Sequence, residues 1–383
     1  MAIRILLFAF FLFEAKVLLN FVTASCYMKE VSHAKCDSNA ELSDRWFSKS
    51  FDNFQDIKKL SIRNNNSELL VLVSPFKRFI HLEKLDIGEC RIQRLYRYTF
   101  KDLPLKKLFI ERCGLEEIYE GAFRNLSSLQ ELSLRKNRLK TVSNGVLKNL
   151  PKLAHLTLSG NELSSIENSA LENLPELNVL HLDNNKIGAI FIHRIVSYPE
   201  RLKILWLQNN SLTFVSNYML EKLTELELLN LGFNKISAIE ANSFEHTPKL
   251  RTLVLTHNKL KEVDGTIFPK SGMNNLEKLY LDNNELMFLS SSFFFRLNSL
   301  KKITLVGNPW DCACLEVINR ILDENNVEEK CQDLYVSNHR AVCVIKDATN
   351  RVCNYKYDKE LSDTYLDQKK KLAPHVPLGR CLL

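Results

Sequence analysis

The stretch Leu129-Gln130-Glu131-Leu132-Ser133-Leu134-Arg135-Lys136-Asn137-Arg138-Leu139 sets the frame for the whole chain. Its leucines and its asparagine return as Leu153, Leu156, Leu158, Asn161 and Leu163, and again as Leu177, Leu180, Leu182, Asn185 and Ile187, a period of about 24 residues. Extended outward, the asparagine position falls at Asn65, Cys90, Cys113, Asn137, Asn161, Asn185, Asn210, Asn234, Asn258, Asn284 and Asn308. In-register copies of a five-position motif in that number do not arise by chance. The chain is therefore a stack of about eleven similar units, each burying its apolar side against its neighbours.

The pattern L-x-x-L-x-L-x-x-N/C-x-L resembles that of leucine-rich repeat proteins. The resemblance implies an α/β solenoid, a horseshoe with a parallel sheet on its concave side and a cysteine-closed cap at each end. Since side chains alternate along a strand, the leucines point inward and three columns of residues remain on the concave face. In every rung the asparagine must satisfy backbone groups at the turn, and the convex side is packed by Phe100, Phe123, Phe244, Phe268 and Phe294, with Leu147, Leu171, Ile195 and Leu220 between them. A repeat stack explains how 383 residues form one elongated domain, because each rung contacts only its neighbours.

Before the rungs, Arg4, the apolar run Ile5 to Phe13 and the small residues Val22, Ala24 and Ser25 follow the order of a secretory signal peptide. Glu14 and Lys16 leave the run too short to span a bilayer about 30 Å thick, and no later run of 18 apolar residues occurs. A secreted, extracellular chain with no membrane span is expected. The organisation reads as signal peptide at 1–24, N-terminal cap at 25–56, repeats at 57–307, C-terminal cap at 308–353 and a polar tail at 354–383.

Ten cysteines fit an oxidising compartment. Cys26 and Cys36 are expected to close the N-terminal cap, with Trp46, Phe47, Phe51 and Phe54 as its apolar lid. Cys90 and Cys113 occupy the asparagine position, where a buried thiol is inert, and are read as free. At the other end Asn308-Pro309-Trp310-Asp311-Cys312-Ala313-Cys314 is similar to the N-P-W-x-C-x-C opening of the C-terminal cap in extracellular leucine-rich repeat proteins. That resemblance implies Cys312 with Cys331 and Cys314 with Cys343 or Cys353; Cys381 is an additional cysteine. Zinc would need the same residue types, but secretion makes disulfides the default.

On the concave face the central column runs Ser61, Asp86, Phe109, Ser133, Thr157, His181, Trp206, Asn230, Val254, Tyr280, Thr304. Beside it Lys59, Lys84, Lys107, Glu131 and His155 give way to Val179, Ile204 and Leu228, and a third column brings Arg63, Glu111, Arg135, Asp183, Gln208 and Asp282. The apolar members meet in the second half, and the repeat frame does not require them there. Part of this cluster follows from strand preference for Val, Ile, Tyr and Trp, but an exposed apolar patch rimmed with charge is what an interaction site looks like. The candidate partner-binding residues are Val179, His181, Ile204, Trp206, Leu228, Asn230, Val254 and Tyr280.

Catalysis finds no motif: H-E-x-x-H, P-loop and G-x-S-x-G are absent, and no cofactor is implied. His181 and Asp183, two apart on one strand face, are a solvated polar pair more readily than a metal site. A net charge of +7 is a mild bias on a chain of 383 residues and falls short of a nucleic-acid signature. The architecture is similar to insect leucine-rich immune proteins and to receptor ectodomains of the Toll type. It implies a binding module for a protein or a microbial surface component in innate immunity, or else an adhesion and signalling module of the matrix or cell surface in development.

Three sequons begin at Asn65, Asn125 and Asn209. Asn65 is an inward ladder residue, Asn209 borders the concave face and Asn125 lies in the turn on the far side. Expressed in a secretory host, the protein should appear in the medium with its N-terminus near Ser25 and with glycan on Asn125 first, then Asn209. N-terminal sequencing and a glycopeptide map check this; full occupancy at Asn65 would break the assigned frame of the first rung.

Overall fold

The computed structural model describes residues 25–37, 41–42, 47, 54–63, 70–71, 75–329, 343–345 and 352–372. Contacts divide the chain into two compact units, Met1–Leu139 with Gly145–Leu153, and Lys140–Asn144 with Ala154–Leu383. In the first, the hairpin β1 (Ser25–Glu30) and β2 (His33–Asp37) is followed by β3 (Lys59–Arg63), β4 (Lys84–Gly88), β5 (Lys107–Glu111) and β6 (Glu131–Ser133). In the second come β7 (His155–Thr157), β8 (Val179–His181), β9 (Ile204–Trp206), β10 (Leu228–Asn230), β11 (Thr252–Val254), β12 (Lys278–Tyr280), β13 (Lys302–Thr304) and β14 (Glu328–Glu329). From β2 onward the pairings within each unit are parallel, and equivalent repeat positions sit opposite one another: Lys59 with Lys84 with Lys107, and Val179 with Ile204 with Leu228.

Strands form here because each rung offers two or three inward leucines that only a parallel neighbour covers. Leu132, Leu134, Leu156, Leu158, Leu180, Leu182, Leu205 and Leu207 are all fully buried. The turn after each strand is held by its asparagine. Asn185 donates through Nδ2 to Leu158 O (3.1 Å) and Leu182 O (3.0 Å), while its Oδ1 accepts from Leu163 N (3.0 Å). Asn137, Asn210, Asn234, Asn258 and Asn284 repeat the pattern. Each asparagine thus binds its own turn to the rung before it.

The residue just before the ladder position takes a left-handed conformation rung after rung, from Glu89 (φ 54°) and Arg112 (φ 55°) to Asn184 (φ 57°), His257 (φ 53°) and Asn283 (φ 56°). Asparagine suits that conformation, which is why it recurs there although nothing in the leucine frame demands it.

The aromatic packing behind the strands is discontinuous, as expected. Phe76, Phe100 and Phe123 stack in the first unit at 5.8 Å centroid spacings, and Phe47 meets Phe79 edge-on at 5.0 Å. In the second unit Phe244, Phe268 and Phe293 form the row. The expectation of Phe294 was one residue off: the short turn Ser291–Phe294 points Phe293 inward and leaves Phe294 packed edge-on against it. Leu147, Leu171, Ile195 and Leu220 are buried where predicted.

At the N-terminus Cys26 faces Cys36 across the hairpin and the two are bonded; β2 then pairs in parallel with the first rung, covering its edge. Phe47 is buried and Phe54 packs edge-on against Phe79; Trp46 and Phe51 lie outside the described residues.

Cys90 and Cys113 are bonded to each other, which corrects their reading as free thiols. Equivalent positions on adjacent parallel rungs lie one strand spacing apart, about 4.8 Å. Two successive ladder cysteines therefore come into disulfide range, here with Cα atoms 4.4 Å apart.

The C-terminal cap opens on Trp310, which is buried and donates through Nε1 to Leu305 O (2.7 Å). Asp311 then caps helix α1 (Cys312–Glu324) by accepting from Cys314 N (3.0 Å). Cys312 pairs with Cys343, not with Cys331, and Cys314 pairs with Cys353. The cause is backbone pairing: Val344 N donates to Trp310 O (2.7 Å) and Cys312 N to Val344 O (3.0 Å), which sets Cys343 beside the start of the helix. Cys331 and Cys381 lie outside the described residues. Within the segment read as a polar tail, Lys359–Leu372 forms helix α2, with Ser362 and Tyr365 buried and Lys369 Nζ donating to Gly307 O (2.6 Å).

Replacing Asn185 with alanine removes the acceptor of the Leu163 amide and one of the two amide donors to each of the Leu158 and Leu182 carbonyls, the others being Asn161 and Asn210. It should lower the unfolding free energy by about 1–3 kcal/mol in a urea titration. Lys186→Ala, which breaks only an exposed pair with Glu162, should change it by less than about 0.5 kcal/mol.

Candidate functional site

The parallel register brings the strand-face columns together as the repeat frame requires. In the second unit His181 lies opposite Trp206, Trp206 opposite Asn230, Asn230 opposite Val254 and Val254 opposite Tyr280. Val179, Ile204 and Leu228 form the adjoining row and are half-buried, as are His181 and Trp206. The His181 and Trp206 rings are stacked, 5.7 Å between centroids with planes 7° apart. A large indole is thus held flat beside three aliphatic side chains with its outer part open to solvent.

The rest of the expected patch is not available to a partner. Val254 (4 % exposed), Tyr280 (5 %) and Asn230 (5 %) are buried. Val254 stands between Asn230 and Tyr280, and Tyr280 between Val254 and Thr304. Asn230 also turns its Oδ1 back to Gly232 N (3.0 Å). Burial pushes the Tyr280 phenol up, an effect that Lys302 opposes and Asp282 reinforces. The accessible apolar surface therefore centres on Val179, His181, Ile204, Trp206 and Leu228.

The third column presents less charge than its composition promises. Asp183 is 8 % exposed and accepts from Ser159 Oγ (2.6 Å) and Asn184 Nδ2 (2.6 Å), with His181 Nδ1 3.6 Å away. Burial pushes its carboxyl up, but the hydrogen bonds from His181, Ser159 and Asn184 outweigh burial and hold it below the usual carboxylate range. Asp282 is tied in the same way, by Thr304 Oγ1 (2.6 Å), Asn283 Nδ2 (3.0 Å) and Thr256 Oγ1. These carboxylates brace adjacent rungs. The hydroxyl on the adjacent rung that each needs is invisible in the five-position motif.

In the first unit the lysine column is partly neutralised: Lys107 Nζ is 2.7 Å from Glu131, and Lys84 sits 4.9 Å over the Phe109 ring. Arg63 pairs with Asp86 at 3.0 Å. Among the described residues no three histidine, cysteine or acidic side chains gather in metal-binding geometry.

His257 stacks on Phe233 at 4.4 Å, and its Nε2 is buried without a hydrogen-bond partner. Its pKa is lowered from 6.5, chiefly by burial and further by Lys369 of α2, against the opposing pull of Asp282. A histidine with a lowered folded pKa leaves the unfolded chain the stronger proton acceptor. Its contribution to stability is intact above pH 6.5 and is lost as pH falls below that value. His257→Asn places at this left-handed position the residue that Asn184, Asn209 and Asn283 supply in other rungs. Stability measured by denaturant titration from pH 8 to pH 5 should fall less steeply in the variant than in the parent.

Comparison with known proteins follows the same lines. The leucine-rich repeat family model matches residues 104–163, 200–260 and 248–309. Over 65 residues the chain is 42 % identical to chondroadherin of Mus musculus, covering 17 % of each protein. Over 121 residues it is 31 % identical to leucine-rich repeat-containing protein 3 of Danio rerio, covering 30 % of this chain and 44 % of the relative. The matched part is thus less than half of either relative's length. The fold is similar to that in the crystal structure of the TLR13-ssRNA13 complex, with a TM-score of 0.53 at 19 % identity over 86 % of this chain and 53 % of that one. Strand register, asparagine ladder and family match agree: between disulfides near its two ends, the chain is a leucine-rich repeat solenoid.

Proposed function

We propose that this protein is a secreted recognition module. It takes a protein partner, or a microbial surface component, on the strand face around Trp206. The observation that carries this reading is the half-exposed indole, stacked flat on His181 and flanked by Val179, Ile204 and Leu228. An aromatic already immobilised in the free protein loses little conformational entropy on binding, and Trp is the residue most enriched at interface hot spots.

An extracellular setting rests on four disulfides among the described residues, which persist in oxidising compartments, and on the leader-like sequence of residues 1–24. No helix among the described residues is long and apolar enough to cross a membrane. Binding is favoured over catalysis because the titratable groups near the patch brace the rungs and do not converge on a shared cavity.

Innate immunity is the role proposed; the local likeness to chondroadherin supports adhesion in the matrix or at the cell surface as the second reading. Transcript and secreted protein should rise after microbial challenge under the first and follow tissue and stage under the second.

Trp206→Ala should weaken a partner captured by cross-linked pull-down by about 2 kcal/mol or more, at least roughly thirtyfold. Its unfolding free energy should change by no more than about 1 kcal/mol, the scale of the lost ring stack. Lys84→Ala should alter association rate and salt dependence instead. Parental affinity in Trp206→Ala would place the partner elsewhere.

A further inference from the structure

The net charge of the chain is not spread along it. Between Cys90 and Leu153 there are 14 lysines and arginines against 6 aspartates and glutamates, an excess of 8, which exceeds the +7 of the entire chain. The remaining residues are nearly neutral, so the positive field belongs to the rungs at the second, third and fourth ladder positions. Apart from Lys140–Asn144, this stretch falls in the first unit.

On the ladder side of these rungs lies a groove of about 390 Å³, lined by Arg91, Arg112, Gly114, Lys136 and Arg138 among others. The repeat frame explains its shape. Arg91, Gly114 and Arg138 each follow a ladder residue (Cys90, Cys113, Asn137), so they stack one above another at one strand spacing. Gly114 has φ +63°, and nothing lies within 4 Å of where a Cβ would sit. Two arginines about 10 Å apart therefore face each other across an open glycine floor. Arg112 and Lys136, one residue before the ladder, form a second cationic row beside them.

Four cations in the groove wall stand against one carboxylate there, Glu116. Arg112 is 3.2 Å from Glu89, and Arg138 is 3.9 Å from Glu116 with both side chains more than half exposed. Arg91 and Lys136 are exposed and have no ion pair among the described residues. The Cys90–Cys113 disulfide ties the two rungs beneath, so the cations stand on a crosslinked base.

We infer that this groove binds a linear sulfated polysaccharide. An elongated row of guanidinium and ammonium groups suits a chain carrying regularly spaced sulfate and carboxylate groups, with Arg able to meet each oxyanion in a fork. Single-stranded nucleic acid is the competing polyanion, but its binding sites combine cations with aromatic platforms for base stacking. No aromatic side chain lines this groove. A second basic hollow, lined by Arg97, Arg124 and Lys148, lies on the other flank of the same rungs. It holds the sequon residue Asn125 in its wall and carries Glu120 against Lys148 at 2.9 Å. A glycan at Asn125 would occupy it, which directs the proposal to the ladder-side groove.

The test is binding of the full chain to a heparin-derived octasaccharide by calorimetry at several salt concentrations. Three competitors run beside it: the desulfated octasaccharide, a single-stranded oligonucleotide of matched charge and vesicles of phosphatidylserine. The native chain should bind the sulfated sugar and lose affinity steeply with salt, while desulfation abolishes binding. Arg91→Ser/Arg138→Ser should weaken binding at least tenfold and lower the salt slope by about one per cation removed. Gly114→Asp, a carboxylate on the groove floor at a position aspartate tolerates, should abolish it. Arg97→Ser/Arg124→Ser on the opposite flank should leave it unchanged. Equal or tighter binding of the oligonucleotide or the vesicles, or parental affinity in Arg91→Ser/Arg138→Ser, would overturn the proposal.

Discussion

A side-chain amide does in this protein what a backbone partner does in an ordinary sheet. Each turn out of a strand leaves carbonyls and an amide facing the interior, where water cannot reach them. The ladder asparagine gives two donors to carbonyls on its own rung and the previous one, and accepts an amide from that previous rung. Inward leucines supply the transfer free energy, but they are alike from rung to rung and tolerate a slipped register. Only the amide, with its directional bonds, makes one stacking offset better than the others. Where Asn is replaced by Cys, as at positions 90 and 113, the rungs are tied covalently instead.

With the stacking offset set, the strand face becomes a grid in which composition alone no longer says what is exposed. In the same central column Val254 and Tyr280 are buried while His181 and Trp206 are only half-buried. Proximity between rungs turns Asp183 and Asp282 from surface charges into braces, because a serine or threonine hydroxyl of another rung lies within 2.6 Å of each. The proposed binding face lies where this self-satisfaction stops, around His181 and Trp206. There two large rings satisfy each other by stacking and leave their outer edges unclaimed.

Stacking also amplifies sequence bias. An arginine at one repeat position is an ordinary surface residue; at the same position two rungs later, with glycine between, it becomes half of a clamp. The protein thus carries two surfaces of different chemistry. One, in the second unit, is aromatic and aliphatic and suits a folded partner; the other, in the first unit, is cationic and suits a polyanion. Both arise from the same translation by one strand spacing.

The sequence by itself determined the period, the inward leucines, the ladder and the order of residues in each strand-face column. These follow from rules that act within a single repeat: alternation along a strand and the hydrogen bonds of one turn. It also located the cap cysteines Cys26 and Cys36. Tertiary structure decided whatever depends on distances between rungs. Cys90 met Cys113, Cys343 displaced Cys331 as the partner of Cys312, Phe293 took the place expected of Phe294, and Val254 and Tyr280 withdrew from the candidate site. A motif records what each residue does for its own repeat. Which side chain lies within a few ångströms of it on the next rung is a property of the stack, and there the burial and the pairing are settled.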